Sequence, residues 1–388
     1  MATVSTTDVF VTGIGAVSCL GGTAGEFWAG LGTGAPRPVP VPGLTDRVPD
    51  VLAYRAPGGP SGDAGDPLGR ATEFALRAAH EATADAGLSP VRTADMAVVI
   101  GTSGGDGGAR EGQAPAGGSW RTPFSVAAAV GGALGSFGTN ISVSNACAAS
   151  GYALSVAVDL IRRDEAETVL VGGAEGLAWV PLAAFSRLGA ADPELCRPFD
   201  ERRQGTVFGE GAAMLVVQSA RAAAGRPVYG RVLGTAWSCD AHHPTAPDPE
   251  GGQLVRVARD ALVAAGSTPD EVGCVIPHGT GTPHNDELEY RVLREVLGER
   301  VGSTPLFSLK AFIGHTAGAS AAFAAVSAAL MARHGRIPAN ELVRHPDPAC
   351  PVWLPPTARP LAPRRSDVLI NAYAFGGSNF AMVFGGER

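Results

Sequence analysis

Leu306-Phe307-Ser308-Leu309-Lys310-Ala311-Phe312-Ile313-Gly314-His315 reads as a short apolar strand over 306–309, a turn closing on Gly314-His315, and the approach to a long Ala-rich helix over 318–334. A matching unit lies earlier in the chain. There Asn140-Ile141-Ser142-Val143 leads through the small-residue turn Asn145-Ala146-Cys147 into an apolar helix over 151–163. Two such units predict duplicated halves about a pseudo-dyad. The connector is Ala222-Ala223-Ala224-Gly225-Arg226-Pro227, which places the halves at 1–228 and 229–388.

The rest of the chain repeats the alternation. Buried-strand-length apolar runs stand at Val9–Val17, 96–101, 169–173, 212–217, 229–235, Val272–Ile276 and 368–372, the last of these read as the final strand. Helical spacing fills 71–86, 254–265 and 286–297. Strand alternating with helix implies an α/β architecture with mostly parallel sheets. The Gly/Pro-rich stretches 34–42, 58–67 and 104–118 read as loops.

Bulk properties narrow the function. Hydrophobic residues make up 45% and charged residues 17%, enough for a large core, and the net charge is −7. A nucleic-acid binder needs a basic face, so none is expected here. Six scattered cysteines contain no C-x-x-C pair, which points to neither a zinc site nor a disulfide framework. No apolar run reaches membrane-spanning length and no signal-peptide pattern opens the chain, so a soluble, cytoplasmic protein without membrane insertion is expected. There is no G-x-S-x-G and no P-loop, and the glycines at 101–105 lack dinucleotide spacing.

Lys310 is the only lysine; the other basic residues among the 30 Lys+Arg are arginines. Ammonium and guanidinium are not interchangeable, so a lone lysine five residues before His315 marks a place that needs a compact cation. Cys147 sits where a helix begins, and a helix N-terminus lowers a thiol's pKa, favouring a nucleophile. A buried structural thiol is the other reading at this point. His278 follows the strand Val272–Ile276 and precedes Gly279-Thr280-Gly281-Thr282-Pro283, aimed at the crevice where such sheets bind ligands. Gly376-Gly377, in Phe375-Gly376-Gly377-Ser378-Asn379, would free backbone N–H groups toward a developing oxyanion. Arg197-Pro198-Phe199-Asp200 and Gly209-Glu210-Gly211 read as an Arg–carboxylate brace beside the site.

Together these motifs resemble the β-ketoacyl synthase family on the thiolase fold, nearly end to end. The resemblance runs through Val11-Thr12-Gly13-Ile14-Gly15, Ala146-Cys147, Gly172-Gly173-Ala174-Glu175, the Arg197 and Gly209 stretches, and Asp240-Ala241-His242-His243. It continues with the His278 motif and Asn285-Asp286, Lys310 with Gly314-His315, Pro346-Asp347-Pro348, and Phe375 to Asn379. It implies duplicated α-β-α-β-α layers with mixed five-stranded sheets. It also implies a discrete condensing enzyme, an acyltransferase of polyketide or fatty-acid assembly.

Carried over, Cys147 is the nucleophile that takes an acyl group from an acyl carrier protein. His278 and His315 flank the malonyl thioester carbonyl as CO₂ leaves, and Lys310 orients His315. The N–H groups of Cys147 and Phe375 form the oxyanion hole, with Phe375 also a gate. Thr280 and Thr282 contact the pantetheine arm, and Gly376 and Gly377 the substrate. Substrates would arrive on phosphopantetheine, with no metal and no other cofactor. The partners implied are the carrier and a second ketosynthase-like subunit, identical or not, with Arg55, Arg121, Arg202 and Arg203 as candidate docking residues. Two further readings stand beside this one: a non-decarboxylating acyltransferase, and a chain-length partner subunit, which would usually lack the cysteine.

The chain departs from the family pattern at four places. Ala324 stands where an acid usually partners the lysine, Gln204 for aspartate, Pro277 for alanine, and Ala374 for glycine. The stretch 123–147 is short.

Overall fold

The first strand and the first long helix show how this composition becomes layers. The computed structural model describes residues 8–32, 34, 37–41, 51–58, 69–108, 122–362 and 366–386; Arg121 and most of the three Gly/Pro-rich loops lie outside them. Helix α1 (Arg70–Asp85) buries an alanine face, including Ala75, Ala78, Ala79 and Ala82, on strand β1 (Val9–Val17). A side chain at Gly15 would stand 2.1 Å from the Ala78 carbonyl, so only glycine lets the helix lie this close. The helix also satisfies the strand's backbone. Glu81 accepts from Ala16 N–H at 2.9 Å and Asp85 from Ile14 N–H at 2.9 Å. These are donors that β1 would otherwise offer to a longer neighbour.

The remaining strands of the main sheet are β2 (Ala97–Gly101), β3 (Asn140–Val143), β4 (Thr168–Glu175), β5 (Gly211–Ser219), β6 (Gly230–Cys239), β7 (Val272–Ile276), β8 (Asp367–Tyr373) and β9 (Ser378–Gly385). Their order is β7-β8-β9-β6-β1-β5-β4-β2-β3. The first half, β3-β2-β4-β5-β1, is parallel at β2/β3 and β2/β4 and antiparallel at β4/β5 and β1/β5. The second half repeats the pattern with four strands, β7/β8 parallel and β8/β9 and β9/β6 antiparallel, and among the described residues only the Val275/Leu306 bridge stands at the place of a fifth. The halves join through a short antiparallel contact from the Val9/Val232 pair to the Val11/Gly230 pair.

Three expectations about strands are corrected, the first being that the sheet is mostly parallel: only β2/β3, β2/β4 and β7/β8 are. Residues 306–309 do not form a strand; they touch the sheet edge through a bridge between Leu306 and Val275. Asn340 accepts from Ser308 N–H at 2.8 Å and α7 (Lys310–Ile313) begins at once, so the chain turns away before a ladder can form. One strand, β9, lies beyond 368–372. The Gly376-Gly377 turn is a hairpin connection, and β9 pairs along β8 from Asn379/Tyr373 to Phe384/Val368.

Helices complete five layers. α1 and α2 (Phe124–Leu134) cover the outer face of the first half. α5 (Gly252–Ala265) and α6 (Pro283–Leu297) cover that of the second. Between the two half-sheets lie α3 (Ala149–Arg162) and α8 (Ser320–His334), packed on each other in the largest apolar cluster. α8 is buried over most of its length, which is why its sequence is alanine-rich all round instead of amphipathic. Among the described residues no helix is long and apolar enough to cross a membrane.

Candidate active site

The two central helices begin in the same unusual way. Ala146 takes φ +44°, a single 3₁₀ turn spans Ala146–Ala148, and α3 follows. Ala317 takes φ +41°, a 3₁₀ turn spans Ala317–Ala319, and α8 follows. Left-handed backbone at alanine costs about 1–2 kcal/mol and persists only where packing enforces it. Cys147 occupies the centre of the first elbow and Gly318 the centre of the second. A side chain at Gly318 would lie 2.4 Å from Ser103 N, so this elbow carries no reactive group. Glu175, at the end of β4, ties the second elbow down by accepting from Gly318, Ser103 and Gly104 N–H at 3.0, 2.7 and 3.0 Å.

Cys147 is 8% exposed. Burial pushes its thiol up to about 11; Lys310 and, less strongly, the Phe375 backbone N–H pull it down, and Glu175 adds to the rise. The helix N-terminus was expected to depress this thiol. Desolvation of the buried sulfur outweighs the favourable dipole, so the resting group is a neutral thiol.

His278 leaves the end of β7 and is gripped by its backbone. Glu289, on α6, accepts from His278 N–H and from Gly279 N–H, each at 2.7 Å, while the His278 carbonyl accepts from Lys310 Nζ. Asp286, one turn earlier, accepts from Thr280 and Gly281 N–H at 3.1 and 3.2 Å. The ring is therefore aimed by its peptide; its Nδ1 has no hydrogen-bond partner among the described residues. His315 is held differently. Its N–H donates to Val207 O at 2.8 Å, the Phe208 ring stacks on it at 5.7 Å and 6°, and Nδ1 lies 3.1 Å from Ser320 Oγ. The two imidazoles stand edge to face with centroids 5.6 Å apart. Burial and then Lys310 hold both well below the ordinary histidine range, so both are neutral at pH 7. Lys310 is buried too. Desolvation lowers it and Glu289 is the foremost opposing influence, while burial raises Glu289. Ala324 leaves no acid on α8 at that position, and Glu289, on a different helix, is the acid that most favours the Lys310 ammonium.

Cys147, His278, His315, Phe375, Thr280 and Thr282 line one cavity of about 400 Å³. The hydroxyls of Thr280 and Thr282 lie 2.9 Å apart. Phe375 stacks on Phe185 of α4 (Trp179–Arg187) at 4.8 Å and 7°, and Phe185 meets Phe208 edge-on at 4.8 Å, so an aromatic chain links the gate residue to His315.

Gly376 and Gly377 do not face this cavity as expected. Gly376 N–H donates to Pro244 O at 2.8 Å and Gly377 N–H to Ala374 O at 3.0 Å. Their φ values of +85° and +76° build the turn that presents Phe375. The arginine brace exists with other partners: Arg197 pairs with Asp192 at 3.0 Å, and Arg70 holds Glu210 through two bonds of 2.8 and 2.5 Å. Arg203 is buried against Asp286, Glu287 and Asp347, which removes it from any docking surface. Arg55 faces Glu210 at 3.6 Å, and Arg202 is exposed. Glu289, Ser320 and Phe185 escaped the sequence reading. The spacing of Asp286 and Glu289, one turn apart at the start of a Pro-initiated helix, is the signal that could have found the first of them.

Comparison with known proteins gives a consistent result. The model of the β-ketoacyl synthase N-terminal domain matches residues 6–223 and that of the C-terminal domain residues 229–343. The chain is 31% identical over 416 residues to the 3-oxoacyl-[acyl-carrier-protein] synthase 2 of Synechocystis sp., covering 99% of each chain. It is 31% identical over 414 residues to the tetracenomycin polyketide synthase ketoacyl synthase alpha subunit of Streptomyces glaucescens, covering 97% of this chain and 96% of that one. The solved ishigamide ketosynthase/chain length factor superposes with a TM-score of 0.87 at 31% identity, covering 98% of this chain and 99% of that one.

Proposed function

The chain belongs to the β-ketoacyl synthase family, and we propose that it loads an acyl group from an acyl carrier protein onto Cys147 and condenses it with a malonyl carrier, losing CO₂. The observation that carries this reading is the convergence of one thiol and two neutral imidazoles, with Phe375, on a single cavity.

The chemistry follows from the protonation states. A thiol near 11 is a poor nucleophile, so attack on the carrier thioester must be coupled to loss of its proton. His278, neutral and lining the same cavity as the sulfur, is the base; the proton leaves with the departing pantetheine thiol. The N–H groups of Cys147 and Phe375 stabilise the tetrahedral oxyanion. In the second half-reaction the malonyl C–C bond breaks, CO₂ departs, and its electron pair becomes an enolate. Ring N–H groups of His278 and His315 stabilise the enolate oxygen. The enolate carbon then attacks the Cys147 thioester, forming the new C–C bond and expelling the thiolate, which takes up one proton from solvent to restore the resting thiol. Preoriented donors supply several kcal/mol toward that carbanion. Thr280 and Thr282 would take the pantetheine arm, and no further cofactor enters the scheme. The site residues all come from one chain, which supports a catalytic subunit and not a chain-length partner; a cytoplasmic location and pairing with a second chain of the same fold belong to the proposal.

The test is intact-protein mass after incubation with a panel of acyl carriers, alongside malonyl-carrier decarboxylation. Wild type should gain one acyl mass, and Cys147→Ala should gain none. An acylated Cys147→Ala, or wild-type product formation without malonyl carrier, would overturn the assignment.

A further inference from the structure

A neutral imidazole carries one N–H, and which nitrogen holds it is set by the partner of the other. For His315 that partner is Ser320, the first residue of α8, whose hydroxyl lies 3.1 Å from Nδ1 and 3.4 Å from Thr316 Oγ1. A hydroxyl both donates and accepts, so the pair alone leaves the direction open. A small cavity bears on it. Lys310, Ser320, Thr316 and Asn371 border a space of about 10 Å³, measured as room for a water's centre, beside Ala324. That is the size of a single water.

Lys310 only donates, and one of its three N–H bonds goes to the His278 carbonyl. Asn371 borders the same space, and its buried Oδ1 makes no hydrogen bond among the described residues. A water there accepts from Lys310 and donates to Asn371 Oδ1 and Ser320 Oγ. Having accepted that hydrogen, Ser320 turns its own toward Nδ1. We propose that Ser320 is a positioning residue that fixes His315 as the Nε2–H tautomer, with the direction imposed by Lys310 through one buried water. His278 has no such tether on its ring and stays free to exchange tautomers. One histidine is then a fixed donor and the other an exchangeable acid and base. The catalytic consequence rests on the condensation reading above; the tautomer does not.

The experiment is two-bond ¹H–¹⁵N correlation spectroscopy on the full chain labelled with ¹⁵N-histidine, assigned by difference from His315→Gln. Wild type should show His315 protonated at Nε2. Ser320→Ala should move the resonances toward a mixture, and Ser320→Thr should restore them. Malonyl-carrier decarboxylation should fall about tenfold in Ser320→Ala, the worth of one directed hydrogen bond. Acylation of Cys147 should change by less than about twofold. A wild-type His315 protonated at Nδ1 overturns the proposal, as does Ser320→Ala with an unaltered Nε2–H pattern or with both rates reduced equally. The wild-type spectrum decides even if the variants fold poorly. Loss of acylation in wild type would sink the condensation reading while leaving the tautomer measurement intact.

Discussion

Lys310 reaches the reaction without touching the sulfur. Its charge lowers the Cys147 thiol against a larger rise from burial, and it also disfavours protonation of both imidazoles. The sign follows: without the ammonium, the thiolate loses its nearest compensating charge. Lys310→Met should therefore raise the thiol further above about 11 and slow alkylation by iodoacetamide at every pH below that value. The pH–rate curve of alkylation, read by intact mass, checks this; a curve shifted to lower pH would show that Lys310 does not act through the sulfur. Cys147, His278, His315 and Lys310 were legible in the sequence because each stands at the end of a strand, in a turn of small residues or alone of its kind. The direction of the thiol shift was not, because desolvation depends on how much protein closes over a sulfur. Glu289 stayed hidden for a related reason: its work is on backbone N–H groups, and the chain shows no charge at those positions to pair it with.

The two elbows that start α3 and α8 are one element used twice, with opposite duties. The first exposes a side chain to the cavity, while the second is closed by the loop at Thr102 and Ser103 and capped by Glu175. Gly318→Ala would drive a methyl into backbone at 2.4 Å. It should destabilise the fold by about 2–3 kcal/mol, as overpacking of a rigid site does. Ala317→Gly should be neutral or mildly stabilising, because relief of the left-handed alanine offsets the entropy that glycine adds to the unfolded chain. Urea unfolding midpoints at fixed pH measure both; a Gly318→Ala midpoint equal to wild type would mean that the second elbow is loose. The strand–turn–helix pattern of each unit was readable from residue size and periodicity. The missing strand at 306–309 was not, since a side-chain carbonyl from Asn340, far along the chain, takes the ladder N–H of Ser308.

At the scale of the whole molecule, alternation of apolar strands with alanine-rich helices made the layered, duplicated α/β body legible. The joining of its halves into one nine-stranded sheet was not, because β1 and β6 touch over a few residues separated by most of the first half. One end of that sheet, β3, is an edge strand with no neighbour on its outer side among the described residues, and the chain around it carries exposed aromatics: Phe124 is 65% exposed and Phe137 88%. An open edge flanked by exposed aromatics is an aggregation hazard unless something covers it. A second chain of the same fold, presenting its own β3, would extend the sheet and bury both phenylalanines. We expect wild type to sediment as a dimer, and Phe124→Asp with Phe137→Asp to sediment as a monomer at micromolar concentration while retaining its far-UV circular dichroism. A double variant that remains dimeric would place the subunit contact elsewhere on the molecule. A wild-type monomer that is nonetheless acylated would show that the single chain carries the site unaided.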